Sequence, residues 1–93
     1  MNTSETVRKE ILRLVKARHN SAYINTRRLS AFFNYPETSI KRELVRLSDE
    51  RLVRLAGWDG HELRPFSAWR SADDFVNSTA DGGHIHVDLV LQG

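Results

Sequence analysis

One stretch of this sequence leaves few folds open. Ile40, Leu44 and Leu47 fall at relative positions 0, 4 and 7, the spacing of one helical face that must be buried. Just upstream, Asn34-Tyr35-Pro36 imposes a break, because the residue before a proline is pushed out of the helical region while proline itself suits the first helical position. The pattern predicts a helix from Pro36 to about Glu50, preceded by a separate short helix from about Arg27 to Phe33 that buries Leu29, Phe32 and Phe33. Two short helices across a tight break need a third to complete a core. Val7, Ile11, Leu14 and Val15, at 0, 4, 7 and 8, supply it in a helix from about Ser4 to His19.

The rest of the chain reads as strands and one short helix. Ala22 to Ile24 is a brief apolar bridge that suits a short strand, and Asn25 or Thr26 can cap the helix after it. Leu52 to Ala56 reads as a strand, Trp58-Asp59-Gly60 as a turn with the Asp-Gly hairpin signal, and His61 to Phe66 as the returning strand. Ser71 followed by Asp74 resembles a capping box, with Ala72, Phe75 and Val76 on the buried side of a short helix. From His84 to Leu91 the residues alternate, with Ile85, Val87, Leu89 and Leu91 on one face, as in a terminal strand. The expected class is therefore α+β.

Ninety-three residues leave room for one core, so a boundary near residue 66, separating 1–66 from an extension at 67–93, divides a single compact unit. A membrane span needs about 20 consecutive apolar residues. No apolar run here exceeds three. The charged opening stretch lacks the apolar region of a secretory signal, which predicts a cytoplasmic chain. Zero cysteines exclude disulfides, thiolate nucleophiles and sulfur-ligated metals. The sequence offers no catalytic set, P-loop or dinucleotide glycine pattern, so neither an enzyme nor a cofactor is expected.

Charge is unevenly placed. Residues 1–56 hold twelve Lys and Arg against six acids, whereas 57–93 hold only Arg64 and Arg70 against six acids. A polyanion is the natural partner of the basic half, although a solvated basic surface is the plainer reading of charge alone. On the helix beginning at Pro36, Thr38, Lys41, Arg42, Val45 and Arg46 fall opposite the apolar stripe.

From Ile24 to Leu55 the chain resembles the winged helix-turn-helix of bacterial transcription regulators of the GntR-like and DeoR-like kind. Leu29 matches the opening leucine, Ser39-Ile40 the Thr-Val place, Arg42 the arginine, Leu44 and Leu47 the paired leucines, and Leu52-Val53-Arg54 the lead-in to the wing. Pro36 replaces the usual capping serine, and Arg51 replaces the usual left-handed glycine. The resemblance implies a three-helix core with a β-hairpin wing, extended here by a C-terminal short helix and strand. It also implies sequence-specific binding of double-stranded DNA by a small transcriptional regulator, with helix 36–50 in the major groove.

In such a complex, residues near the start of the groove helix read base edges while cations around it neutralise phosphates. Glu37, Thr38, Lys41 and Arg42 are then the base-facing candidates, and Arg27, Arg28, Arg46 and Arg64 the phosphate candidates. Asp59 and Glu62, near the wing tip, would repel a phosphate backbone, and Trp58 beside them suits core or edge packing. Trp69, Phe75 and the strand Ile85 to Leu91 either form a homodimer across a two-fold axis or pack back on their own domain, two expectations of equal weight. The competing reading is a protein-interaction module on the same scaffold, with Val45, Trp58 and the acidic tail as its docking surface. His84-Ile85-His86-Val87-Asp88 locally resembles the His-x-His-x-Asp part of the metallo-β-lactamase motif. The final histidine of that motif is replaced by Leu89, so the polar face of a strand is the better reading and no metal is expected.

Overall fold

A computed structural model describes residues 3–80 and 85–91. Among them are four α-helices and one four-stranded antiparallel sheet, an α+β structure. In chain order these are α1 (Thr3–Ala17), β1 (Ser21–Ile24), α2 (Thr26–Phe33), α3 (Glu37–Asp49), β2 (Val53–Trp58), β3 (Leu63–Pro65), α4 (Ala72–Ser78) and β4 (Ile85–Leu89). A single 3-10 turn, Phe66–Ala68, leads from β3 towards α4.

The helical stripes go where their spacing sends them. Val7, Ile11 and Val15 of α1 and Ile40, Leu44 and Leu47 of α3 are fully buried, packed with Leu29 of α2. Phe32 corrects the expectation. It is 75% exposed and meets Phe33 edge to face at 4.9 Å, because Thr26 and Leu29 form the buried side of this eight-residue helix.

Two helix ends carry the residues that depart from the resemblance. Arg51 adopts φ 62°, the left-handed conformation that glycine takes at no cost. The Leu52 amide donates to the Leu47 carbonyl (3.0 Å) and the Arg51 amide to that of Ser48 (3.0 Å), closing α3 as a Schellman motif. Pro36 sits one residue earlier than expected, as the N-cap rather than inside the helix, and its carbonyl accepts from the amides of Ser39 (2.9 Å) and Ile40 (3.0 Å).

The sheet order is β1-β4-β2-β3. β4 therefore lies between the two earlier strands, with Val87 opposite both Ala22 and Leu55. Ile24, Val53, Leu55, Ile85 and Val87 are buried, the sheet's share of a core completed by α1 and α3. α4 joins the packing at Gly57 of β2. A Cβ there would stand 2.5 Å from Thr79 Cγ2 and 2.8 Å from Phe75 Cε2, so only a glycine lets α4 approach this closely. Phe75 is fully buried, with Phe66 and Trp69 edge-on at 5.1 and 5.5 Å.

Of the two expectations for the C-terminal extension, packing back on its own domain is the one this arrangement shows. Trp69, Phe75, Ile85 and Val87 are buried in their own domain, and both edges of β4 are already paired. The hairpin also differs from the expected Trp58-Asp59-Gly60 turn with a strand returning from His61, since Trp58 ends β2 and β3 begins at Leu63. β2 and β3 are joined by Asp59 to Glu62, where Asp59 Oδ1 accepts from the amides of His61 (2.7 Å) and Glu62 (2.9 Å) and Gly60 takes φ 105°. The amides of Glu62 and His61 hold the Asp59 carboxyl below its ordinary pKa.

Candidate nucleic-acid interface

The first turns of α2 and α3 are tied together. Asn25 caps α2 by accepting from the Arg28 amide (3.0 Å), which fixes where that helix begins. The next residue, Thr26, is buried and donates to Glu37 Oε1 at 2.8 Å. Exposed Arg27 follows Thr26, and exposed Thr38 follows Glu37, so the two lie on turns joined by one hydrogen bond. Glu37 was expected to face a base. Its carboxylate instead receives the Thr26 hydroxyl and sets the relative position of the two helices.

Around α3, one turn-to-turn stripe stays open. Thr38, Arg42 and Arg46 are exposed, with the Arg42 and Arg46 side chains 49% and 63% accessible. The neighbouring flank is closed. Lys41, expected to read bases, is only 2% exposed and donates from Nζ to the Thr79 carbonyl (3.1 Å), while Val45 is buried beside it. Both are corrections with one cause: α4 packs on this flank of α3, and the helical period does not reveal which polar flank a later segment will cover.

α4 also alters the charge of the stripe. Asp73 Oδ1 accepts from Arg42 Nη1 at 3.0 Å, and Arg46 Nη1 lies 3.6 Å from Glu43 Oε2. Arg42 and Asp73 are both well exposed, so their pairing is worth about 0–1 kcal/mol and weakens with salt. Opening it costs less than a bidentate guanine contact contributes, about 1–3 kcal/mol. Lys41 differs, since freeing it means lifting α4.

Arg64 is the remaining correction. Its guanidinium lies 5.0 Å over the Trp69 ring, donates to the Ala68 carbonyl and stands 3.6 Å from Asp59 Oδ2, while the Arg64 carbonyl accepts from Trp69 Nε1 (3.2 Å). These contacts fasten the hairpin to the following turn and engage the guanidinium expected to meet phosphate. Trp58 is 40% exposed at the end of β2, opposite Leu63 of β3.

A second basic feature lies along β1, and it was not foreseen as a site. A cleft of about 350 Å³ has Arg18, just past the end of α1, and Arg28 of α2 among its lining residues, together with Leu14, Ala22, Tyr23 and Leu29. The sequence signal was available in Arg18, one of the twelve cations of residues 1–56. On the solvent side of the sheet, Ser21 Oγ lies 3.1 Å from His86 Nε2, and His86 Nδ1 lies 3.7 Å from Asp88 Oδ2. The second distance exceeds a hydrogen bond, so Asp88 does not orient the imidazole as a nucleophile's base requires. His84 of the His-x-His-x-Asp stretch lies outside the described residues. Among the described residues, no three His, Cys, Asp or Glu side chains are grouped to hold a metal, and no helix is long and apolar enough to cross a membrane.

Comparison with protein-family models, curated proteins and solved structures finds no match to this chain.

Proposed function

We propose that this domain binds double-stranded DNA as a small transcriptional regulator, with α3 in the major groove. The winged helix-turn-helix assignment belongs to the same proposal, with α2, the break at Asn34 to Pro36, α3 and the β2–β3 hairpin as its successive parts. The observation that carries it is the open stripe Thr38, Arg42 and Arg46, tied through Thr26 and Glu37 to the first turn of α2, where Arg27 and Arg28 are exposed. Thr38 and Arg42 are the base readers, by contact with a thymine methyl and pairing with guanine. Arg27, Arg28 and Arg46 neutralise phosphates. Lys41 and Arg64 are not in this set.

Fluorescence polarisation with mixed-sequence duplex DNA at graded salt tests the proposal. If all four arginines meet phosphate or base, affinity falls with a log-log slope of about −3 to −4, near −0.9 for each phosphate neutralised. Absence of binding at low salt overturns it. The alternative reading, a protein-interaction module, is favoured by one observation: α4 covers Lys41 and sets Asp73 against Arg42, although the burial of Val45 leaves only Trp58 and the acidic tail of its docking surface. On that reading the stripe is only a solvated surface, and Arg42→Ala leaves DNA affinity unchanged.

A further inference from the structure

We infer that the open edge of β1 receives an extended acidic segment of another polypeptide, which adds a strand to the sheet. Among the described residues β1 is an outer strand, paired only with β4. The Asn20 carbonyl accepts from the Leu89 amide (2.8 Å), which sets the alternation: Asn20, Ala22 and Ile24 direct their backbone groups towards β4, and Ser21 and Tyr23 direct theirs outward. The Ser21 amide is taken by the Arg18 carbonyl (3.3 Å). The amide and carbonyl of Tyr23 and the carbonyl of Ser21 remain to pair with an incoming strand.

The cleft supplies side-chain recognition. Leu14, Ala22 and Leu29 provide apolar wall, Arg18 and Arg28 provide charge, and among the described residues no carboxylate lines it. Both arginines are exposed, and neither has an ion-pair partner among the described residues. A segment alternating apolar residues with Asp or Glu matches this set.

The two sheet edges are treated differently. β3, on the other side, is three residues long and ends in Pro65, which lacks an amide to offer, whereas β1 has no proline. A second copy of this chain is a poor occupant, because β1 against β1 brings both pairs of arginines together. Nucleic acid satisfies the arginines but not the outward backbone groups of Tyr23. The inference shares Arg28 with the DNA reading, but Arg18 and the β1 edge have no part in that, so Arg18 tells the two apart.

The test selects binders to the full chain from a displayed library of random twelve-residue peptides, then maps the strongest by amide hydrogen exchange. Enrichment of alternating apolar and acidic peptides is expected, together with protection of the Tyr23 amide by about tenfold or more. Arg18→Ala should weaken that peptide about fivefold while leaving duplex DNA affinity unchanged, and Arg42→Ala should do the reverse. No enrichment, binders without acidic residues, protection away from β1, or equal protection of Tyr23 by duplex DNA each overturn the inference.

Discussion

The two flanks of α3 begin alike and end differently. Lys41 and Arg42 are adjacent, both cationic and both opposite the Ile40, Leu44 and Leu47 stripe, yet one is sealed under α4 and the other is half open. The 100° that separates neighbouring residues on a helix is enough to move a cation from surface to interior. What decides the outcome is α4, a helix of seven residues some thirty positions later, held by Phe75 against Gly57. Charge on a helix face therefore has no fixed meaning until the last packed element is known.

The largest effect should come from removing that cover. Phe75→Ala deletes a fully buried ring and should cost about 3–5 kcal/mol by chemical denaturation. If the loss is below about 1 kcal/mol, α4 is not packed as described.

The paired cations sharpen the contrast next. Lys41→Ala leaves the buried Thr79 carbonyl without its donor and should cost about 1–3 kcal/mol of stability, with no change in DNA affinity for the folded protein. Arg42→Ala should change stability by no more than about 0.5 kcal/mol and weaken a specific DNA site by about 1–3 kcal/mol. Exchange of these two phenotypes would reverse the assignment of the flanks.

The end of α3 offers a smaller test. Arg51→Gly relieves a left-handed residue at a cost in unfolded-chain entropy and should stabilise by about 0.5–1 kcal/mol, read as a rise in thermal midpoint. A fall in midpoint would show that the Arg51 side chain contributes more than its backbone costs.

The smallest effect concerns the hairpin. Asp59 has its carboxyl pKa lowered in the fold, so its contribution is present above the unfolded value and lost as pH falls through the folded one. The stability advantage of the native protein over Asp59→Ala should therefore shrink in acid. An advantage independent of pH would mean that the two amide bonds to Asp59 do not favour its charged form.

Much of the local structure was legible because it depends on local spacing. The α1 and α3 stripes, the break at Pro36, the Ser71 cap that accepts from the Asp74 amide, and the alternation through Ile85 and Val87 each follow from residues a few positions apart. Strand order was not legible. That β4 lies between β1 and β2 depends on pairing between residues 28 to 67 positions apart, for which periodicity carries no signal. The fates of Lys41, Val45 and Arg64 share that origin, since each is fixed by a partner on a distant or turned segment. Arg27, Arg28, Thr38, Arg42 and Arg46 stayed exposed because α2 buries only Thr26 and Leu29 and the cover of α4 over α3 ends at the Lys41 and Val45 flank.

Amide chemical-shift mapping during titration with mixed-sequence duplex DNA at low salt tests the central claim most directly. The account predicts perturbation at Arg27, Arg28, Thr38, Arg42 and Arg46, with Lys41 and Thr79 still bonded. Shifts confined to other surfaces, or none at all, would contradict it.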